Sequence, residues 1–282
     1  MRFALSTNWC NQRLESGEAI ADKALELGFD ALELGFRTTP GQADGFRRSL
    51  GRIKVGSVHA FCPVPLSAPE GYPELYQLAS LDEDARRIAR VHVVRNIEFA
   101  ASMGADAVVL HAGRVDCGGW LKGREMKRRV RRGRRLSDVF RRELEAVTPA
   151  LEKNGVTLGL ENLPYLEGYP AEWELAQVCG EWVRPWLDTG HDHVRRLRGW
   201  RTDAVEMPDP VGIHINDSKG GDDHFAPGEG DIDFAAYREL AGKARHLVLE
   251  PAHTVTEDSL RAGLAHLRQI WNAGQTPTKK GE

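Results

Sequence analysis

The sequence predicts an α/β fold, a single-domain (β/α)8 or TIM barrel, and two patterns support this prediction. Short apolar, β-branched segments alternate with longer segments in which apolar residues recur three and four residues apart, and eight such pairs fit in the 282 residues. Each connection between strands is long enough for a helical crossover, which is typical of a parallel sheet, and eight repeats are typical of a closed barrel. An open doubly wound sheet is disfavoured because residues 6–11, after the first strand, contain no glycine for a phosphate-binding turn.

The elements can be placed along the chain from these patterns. The strands are predicted at 2–7, 31–36, 54–61, 107–112, 157–162, 183–188, 211–216 and 246–250. The helices are predicted at 17–28, 42–50, 84–103, 136–153, 172–181, 192–199, 233–244 and 256–273. Gly28, Gly104 and Gly155 each follow a helix where a left-handed C-cap is expected, and Asp233 is a predicted N-cap. The barrel should fill residues 1–274, and the polar tail 275–282 should be disordered.

Composition excludes several classes of protein. With 41% hydrophobic and 28% charged residues, the chain is globular rather than disordered. A net charge of −3 and a pI near 6.4 give no overall positive field for nucleic acid or an anionic membrane. No apolar stretch approaches the ~20 residues of a spanning helix, and the N-terminal apolar run is too short for a signal peptide, so we predict a cytoplasmic protein with no membrane partner. The four cysteines are far apart and should be free thiols.

Two long connections interrupt the regular alternation. Residues 62–82, after the third strand, are rich in proline and predict a lid over a small-molecule pocket. Residues 122–142, after the fourth strand, carry eleven lysines or arginines against two acids. Such a run is most often a solvated face, but it could also contact nucleic acid or anchor a sugar phosphate.

Acidic and imidazole side chains follow almost every predicted strand. They are His59, His111, Glu161, Asp188 with His191, His214 with Asp222 and His224, and Glu250. Taken singly, each has an ordinary structural explanation. The carboxyl ends of barrel strands converge on one face, however, and buried carboxylates need a positive partner there. Imidazole and carboxylate without thiolate predict a divalent metal site, for Zn, Mn, Co, Fe or Mg, with one to three ions.

The segments around these residues carry a resemblance to a known family. The segments are 160–162 (LEN), 187–191 (LDTGH), 214–219 (HINDSK), 222–224 (DDH) and 228–233 (GEGDID). They resemble motifs of the xylose-isomerase-like TIM barrel superfamily, which includes sugar isomerases and epimerases and also the abasic-site nucleases known as endonuclease IV. The resemblance runs from the first strand to the last helix.

The two branches of that superfamily imply different metal sites. In the epimerase-like branch, the resemblance implies one metal, usually manganese, held by Glu161, Asp188, His214 and Glu250. In the endonuclease-like branch it implies two further zinc ions, of which one is bound by His59, His111 and Glu161, and the other by His191, Asp222 and His224. The sequence has a suitable residue at each position, so both branches remain open.

We therefore predict a divalent-metal-dependent isomerase or epimerase of carbohydrate metabolism that acts on a sugar or sugar phosphate. Glu161 and Glu250 would transfer the proton through a metal-stabilised enediolate. His191 and Lys219 would bind the substrate, and Trp9, Phe61 and Trp120 are candidate apolar walls. An abasic-site DNA endonuclease with a multinuclear zinc site and a non-catalytic binding protein on the same fold are the alternatives. The sequence does not decide whether the protein forms a homo-oligomer.

Overall fold

The computed structural model describes residues 1–117, 125–201 and 208–272, and its strands form a closed parallel barrel. The barrel strands are β1 (Ala4–Ser6), β2 (Ala31–Leu34), β3 (Lys54–His59), β4 (Ala107–Leu110), β5 (Thr157–Glu161), β6 (Val183–Asp188), β7 (Gly212–Ile215) and β8 (His246–Leu249). Neighbours in the chain are neighbours in the barrel, and β1 closes the ring by pairing Ala4 with Val248. The predicted (β/α)8 architecture is confirmed.

Helices connect the strands on the outside of the barrel. They are α1 (Gly17–Glu26), α2 (Pro40–Ser49), α3 (Glu83–Ser102), α4 (Glu125–Asn154), α5 (Glu172–Val178), α6 (Thr189–Leu197), α7 (Arg238–Lys243) and α8 (Glu257–Asn272). The predicted C-cap glycines all have left-handed backbones, with φ values of 88°, 74° and 63° at Gly28, Gly104 and Gly155. Asp233 accepts a hydrogen bond from the Ala235 amide and caps a 3₁₀ turn, Phe234–Tyr237, ahead of α7.

Helix α4 begins well before the predicted start at residue 136. The described part of the basic run therefore lies on a helix and not in a loop. Arginine and lysine are good helix formers, but they add little to the apolar periodicity on which the prediction rested. Arg129, Gly133, Leu136 and Phe140 are buried at helical spacing, so this end of α4 packs on the barrel while its other basic residues face outward.

A tryptophan fills the barrel interior beneath the mouth. Trp186 of β6 is buried with small and β-branched side chains of neighbouring strands. A Cβ at Gly159 or Gly212 would lie 2.7 Å and 2.4 Å from the indole, so both strands need glycine there. The indole forms a floor, and the side chains that follow the strand ends lie above it.

The pairing of β2 with β3 contains a register shift. Leu32 pairs with Val55, but Glu33 pairs with Ser57, which leaves one extra residue in β3. The shift brings the Ser57 hydroxyl to 2.7 Å from Glu33 Oε2, and both residues are fully buried. A carboxylate is thereby fixed inside the barrel just below its mouth.

The proline-rich insertion after β3 lies beside the mouth. The Val64 amide donates to the Thr38 carbonyl, and the Ala79 amide donates to the Ala112 carbonyl, so the insertion is tied to the connections that follow β2 and β4. Among residues 1–117, 125–201 and 208–272, no helix has the length and apolarity to cross a membrane. Residues 122–124 of the basic run, Trp120 and the predicted tail 275–282 lie outside the described residues.

Candidate metal centre

The barrel fold brings most of the predicted ligands together at the carboxyl ends of the strands. Four groups of residues have ligand atoms within 4.8 Å of one another. They are Glu161 with Asp188, His214 and Glu250; His59 with His111 and Glu161; His59 with His214 and Glu250; and Asp188 with His191 and His224. These groups share members, so they form one continuous cluster.

His214, at the end of β7, lies at the centre of the cluster. Its Nδ1 atom is 3.0 Å from Glu250 Oε2 and 3.3 Å from Glu161 Oε1. Its Nε2 atom is 2.9 Å from Glu33 Oε1 on the other side of the ring. A proton on Nε2 would be donated to Glu33, which leaves Nδ1 as a lone-pair donor facing two carboxylates.

The charges in the cluster perturb one another strongly. Burial raises the pKa of Glu161, but the adjacent His111 and His214 outweigh it and hold that pKa well below its usual range. Burial lowers the pKa of His214, but Glu250, Glu33 and Glu161 reverse this and raise it well above its usual value. In the metal-free protein the neighbouring carboxylates thus favour the protonated form of His214, and a bound cation would replace the proton on its Nδ1 atom.

The residues present fit a divalent cation. Glu161 Oε1 and His214 Nδ1 are buried and have no hydrogen-bond partner among the described residues. Glu33, Glu161, Asp188 and Glu250 are all buried, and no lysine or arginine of the described residues forms an ion pair with them. Four buried acids gathered without a lysine or arginine partner, together with orphaned polar atoms, are costly unless a cation lies between them. The set of three carboxylates and one imidazole in the first group contains no thiolate and suits a catalytic rather than a structural ion.

A second group lies beside the first and shares Glu161 with it. Glu161 Oε2 is 3.2 Å from His59 Nε2 and 3.1 Å from His111 Nε2. Burial lowers the pKa of His111, but Glu161 and Glu74 outweigh this effect and raise the pKa to about 9. In the metal-free protein this imidazole therefore carries a proton at neutral pH, in the place where a metal could bind.

The third group differs from the prediction in one residue. Asp222 is exposed and is absent from the group formed by Asp188, His191 and His224. The carboxylate of the next residue, Asp223, is instead 3.8 Å from His191 Nε2 and 3.9 Å from His224 Nε2. Residues 222–225 form one strand of a hairpin with 217–219, and alternation along that strand turns Asp222 and Asp223 in opposite directions.

Asparagine side chains orient the ligands. Asn162 Oδ1 accepts from the Asp188 amide at 2.6 Å, and Asn216 Nδ2 donates to Asp188 Oδ2 at 2.7 Å. Asn8 Nδ2 lies 3.2 Å from Glu250 Oε1. A Cβ at Gly190 would lie only 2.0 Å from Asn216 Oδ1. The start of α6 therefore needs glycine at this position so that the Asn216 side chain has room beside Asp188. These contacts fix the positions of the carboxylates before a metal binds.

A cavity of about 280 Å³ opens above the cluster. Its lining includes His59, His111, Glu161, His191 and Glu250, so the ligand cluster forms its floor. Phe36, Pro73 and Pro251 supply apolar wall. The cavity is near the lower end of the usual ~300–1,000 Å³ range of ligand pockets, and it suits one small molecule.

Three predicted contacts with the substrate do not line this cavity. Lys219 is exposed and pairs with Asp222 on the hairpin that follows β7. Trp9 is buried and donates from Nε1 to the Val255 carbonyl. Phe61 is buried against Tyr76 and His92. The structure places these three side chains outside the cavity, because strand position alone does not show which way a side chain turns.

Comparison with known proteins agrees with the barrel fold. The chain matches the family model described as the xylose isomerase-like TIM barrel over residues 21–270. It belongs to the xylose isomerase-like TIM barrel family. Among curated proteins, no significant match is found.

Solved structures of the same architecture include several epimerases. This xylose isomerase-like barrel superposes on a D-tagatose 3-epimerase-like protein with a TM-score of 0.68 and 20% identity, covering 97% of this chain and 99% of the other. It superposes on 3-keto-D-glucoside 4-epimerase from E. coli with a TM-score of 0.67 and 16% identity, covering 95% and 99%. A third neighbour, the IOLI protein with a bound zinc atom, gives a TM-score of 0.60 and 15% identity, covering 97% and 99%.

Sequence reasoning missed three polar residues of this xylose isomerase-like barrel. Glu33 hydrogen-bonds His214, Asn8 hydrogen-bonds Glu250, and Arg37 lines the cavity. A lone acid between Leu32 and Leu34, inside an otherwise apolar strand, was the available signal for Glu33. Asn8 and Arg37 follow β1 and β2 as the predicted ligands follow other strands, but neither is a common metal ligand.

Proposed function

We propose that this protein is a divalent-metal-dependent sugar or sugar-phosphate isomerase or epimerase. The observation that carries the proposal is the buried group Glu161, Asp188, His214 and Glu250, with all its ligand atoms within 4.8 Å, at the floor of a cavity sized for one small molecule. The neighbours that act on sugars support the choice of substrate class.

The same four residues would hold the metal, with Mn or Zn as the first candidates. A divalent ion bound there would supply Lewis-acid polarisation of a substrate carbonyl. Glu33 would keep the His214 ring turned so that Nδ1 faces the ion, and Asn216 would hold the Asp188 carboxylate. These contacts limit the rearrangement that metal binding requires.

Proton transfer is assigned to Glu161 and Glu250. Both carboxylates line the cavity, and they lie 3.3 Å and 3.0 Å from the His214 Nδ1 atom. One carboxylate would remove the proton from the carbon next to the carbonyl, and the other would deliver a proton to the opposite face or the neighbouring carbon. His191 also lines the cavity, where it would orient a substrate hydroxyl.

The proposal is tested by the exchange of solvent deuterium into ketoses. The Mn²⁺-loaded protein, incubated in D₂O with a panel of neutral and phosphorylated ketoses, should place deuterium next to the carbonyl of at least one of them. Glu250→Gln should lower this exchange by about a thousandfold, within the range that acid–base catalysis contributes. Glu152→Gln, an exposed acid on α4, is the matched control and should exchange like the unaltered protein. Persistent exchange in Glu250→Gln would remove Glu250 from proton transfer.

An abasic-site endonuclease is the second candidate. The additional groups around His59 with His111 and around His191 with His224 favour it, since they could hold further ions. The insertion argues for a small-molecule pocket, because Pro73 lines the cavity and Glu74 forms an ion pair with Arg114 beside His111. Incubation of the Zn²⁺-loaded protein with an abasic duplex should give no cleavage at catalytic protein concentrations. Cleavage would favour the nuclease.

A further inference from the structure

One cationic side chain at the cavity has no role in the proposed metal site. Arg37 follows β2 and lines the cavity together with Glu161 and Glu250. The next residue, Thr38, fixes the turn, because its amide donates to the Gly35 carbonyl at 3.0 Å and its carbonyl accepts from the Val64 amide at 2.8 Å. Arg37 therefore stands on a rigid turn.

The side chain of Arg37 is also confined. Gly71 of the insertion, with φ of +67°, packs against it so closely that a Cβ there would lie 3.2 Å from Arg37 Cγ. The guanidinium carbon lies 5.4 Å from the centre of the Phe36 ring, and that ring contacts His59 at 5.1 Å. The Phe36 ring is thus next to both the Arg37 cation and His59 of the metal-binding cluster.

The hydrogen-bonding of Arg37 is incomplete. Its Nε atom is buried and has no hydrogen-bond partner, and no ion pair to Arg37 is found within residues 1–117, 125–201 and 208–272. Arg129 provides the contrast, because its buried guanidinium bonds Glu174 and the carbonyls of Leu166 and Gly168. A buried donor left unpaired costs free energy that a bound ligand could recover.

Nearby acids already have partners. Glu74 pairs with Arg114, Glu33 bonds Ser57 and His214, and Glu250 contacts Asn8 and His214. The guanidinium is consequently available to a molecule in the cavity. Its planar fork matches a carboxylate or a phosphate, which it can bind through two parallel hydrogen bonds.

We propose that Arg37 binds an anionic group, a carboxylate or a phosphate, at the end of the substrate remote from the metal cluster. The substrate is then an acidic ketose rather than a neutral one. This inference rests on the proposed function for the ketose itself, but the charge preference can be measured separately from catalysis.

The test uses three ketoses that differ only at C6: D-fructose, D-fructose 6-phosphate and D-fructuronate, a carboxylate. Dissociation constants are measured by calorimetry on the Mn²⁺-loaded protein. At least one anionic ketose should bind ten or more times as tightly as D-fructose. Which of the two binds more tightly shows whether Arg37 prefers a phosphate or a carboxylate. Arg37→Gln should reduce that preference at least tenfold, and Arg37→Lys should retain part of it. Arg87→Gln, an exposed arginine on α3 paired with Asp84, is the matched control and should change nothing.

The metal content and the thermal midpoint of each variant show whether it is folded. Equal affinity for all three ketoses, a preference that survives Arg37→Gln in a folded variant, or no binding of any ketose would overturn the inference. Deuterium exchange into D-fructose without an anion preference would leave the proposed function standing and remove the role of Arg37. If the anion preference depends on Arg37 but no ketose exchanges deuterium, the anion-binding role of Arg37 is supported and the proposed isomerase or epimerase function is contradicted.

Discussion

The two ends of the barrel surround a histidine with different side chains. The indole of Trp186 contacts the histidine of each end. His214, at the end of β7, packs edge-on against Trp186 at 5.2 Å, whereas His246, at the start of β8, stacks on the same ring at 5.8 Å. His246 has one acid partner, Asp106, at 2.7 Å, and that acid is half exposed. His214 is fully buried and lies within 3.3 Å of three carboxylates.

The difference shows which end is built for binding. Below the indole, Asp106 also lies near Arg245, so its charge is balanced and partly solvated. Above it, four buried acids have only histidine, serine and amide partners, and within the described residues Glu161 Oε1 and His214 Nδ1 have no hydrogen bond. A fold selected only for stability would not gather buried acids in this way, because such groups destabilise the metal-free protein. Under the proposed function, the upper end would bind the metal, whereas the lower end would have a structural role.

The largest effect is expected when the acid shared by two metal groups is neutralised. Glu161→Gln removes a negative ligand and a proton-transfer group together, so deuterium exchange should fall by about a thousandfold or more. Asp106→Asn, which neutralises an acid below the indole, should leave exchange within about twofold of the unaltered protein. Comparable losses in the two variants, measured by the same exchange assay, would remove the functional distinction between the ends.

A smaller effect is expected for the carboxylate behind His214. Glu33→Gln keeps the side-chain volume but weakens the contact that orients the imidazole, so Mn²⁺ affinity should fall by about 10- to 100-fold. A competing chelator titration measures this affinity, with Asp106→Asn again the control. If Glu33→Gln bound Mn²⁺ as tightly as the unaltered protein, Glu33 would have no positioning role.

The next prediction concerns pH. In the metal-free protein, burial lowers the pKa of His224, but Asp188, Glu250 and Asp223 outweigh this effect and raise the pKa to about 9. Glu161 and Glu74 raise the pKa of His111 to about 9 in the same way. The proposed metal needs neutral His214, whose pKa is also raised, and its charge would disfavour the protons on nearby His111 and His224, so the cluster should release protons when metal binds. Metal affinity should therefore rise with pH up to about 9, by as much as about tenfold per unit for each proton displaced. Calorimetry in buffers of different ionisation enthalpy should show the released protons, and pH-independent affinity would contradict this account.

The smallest effect is expected at the lower end. His246 holds the pKa of Asp106 below its usual value, and burial opposes that shift. Because Asp106 is half exposed, the pair should contribute no more than about 1 kcal/mol to the free energy of unfolding. Urea unfolding of metal-free Asp106→Asn measures it, and a loss of several kcal/mol would show that the lower end is more than a weak surface pair.

The sequence predicted the ligands that follow strands, because a strand end can be read from its apolar pattern. His59, Glu161 and His214 needed only that pattern and the convergence of a barrel. The structure places Asp222 and Lys219 outside the cluster and the cavity, because the hairpin register shifts between Asp217 and Lys219 and the sequence pattern does not show that shift. Glu33 was missed because its partner lies 181 residues away along the chain.

Anomalous diffraction from crystals soaked in Mn²⁺ or Zn²⁺ tests the central claim most directly. The account predicts an anomalous peak among Glu161, Asp188, His214 and Glu250, with ligand atoms about 2.0–2.2 Å from the ion if it is zinc. The peak should be absent from crystals of Glu161→Ala soaked in the same way. No peak at these residues in the unaltered protein, or a peak that persists in Glu161→Ala, would contradict the account.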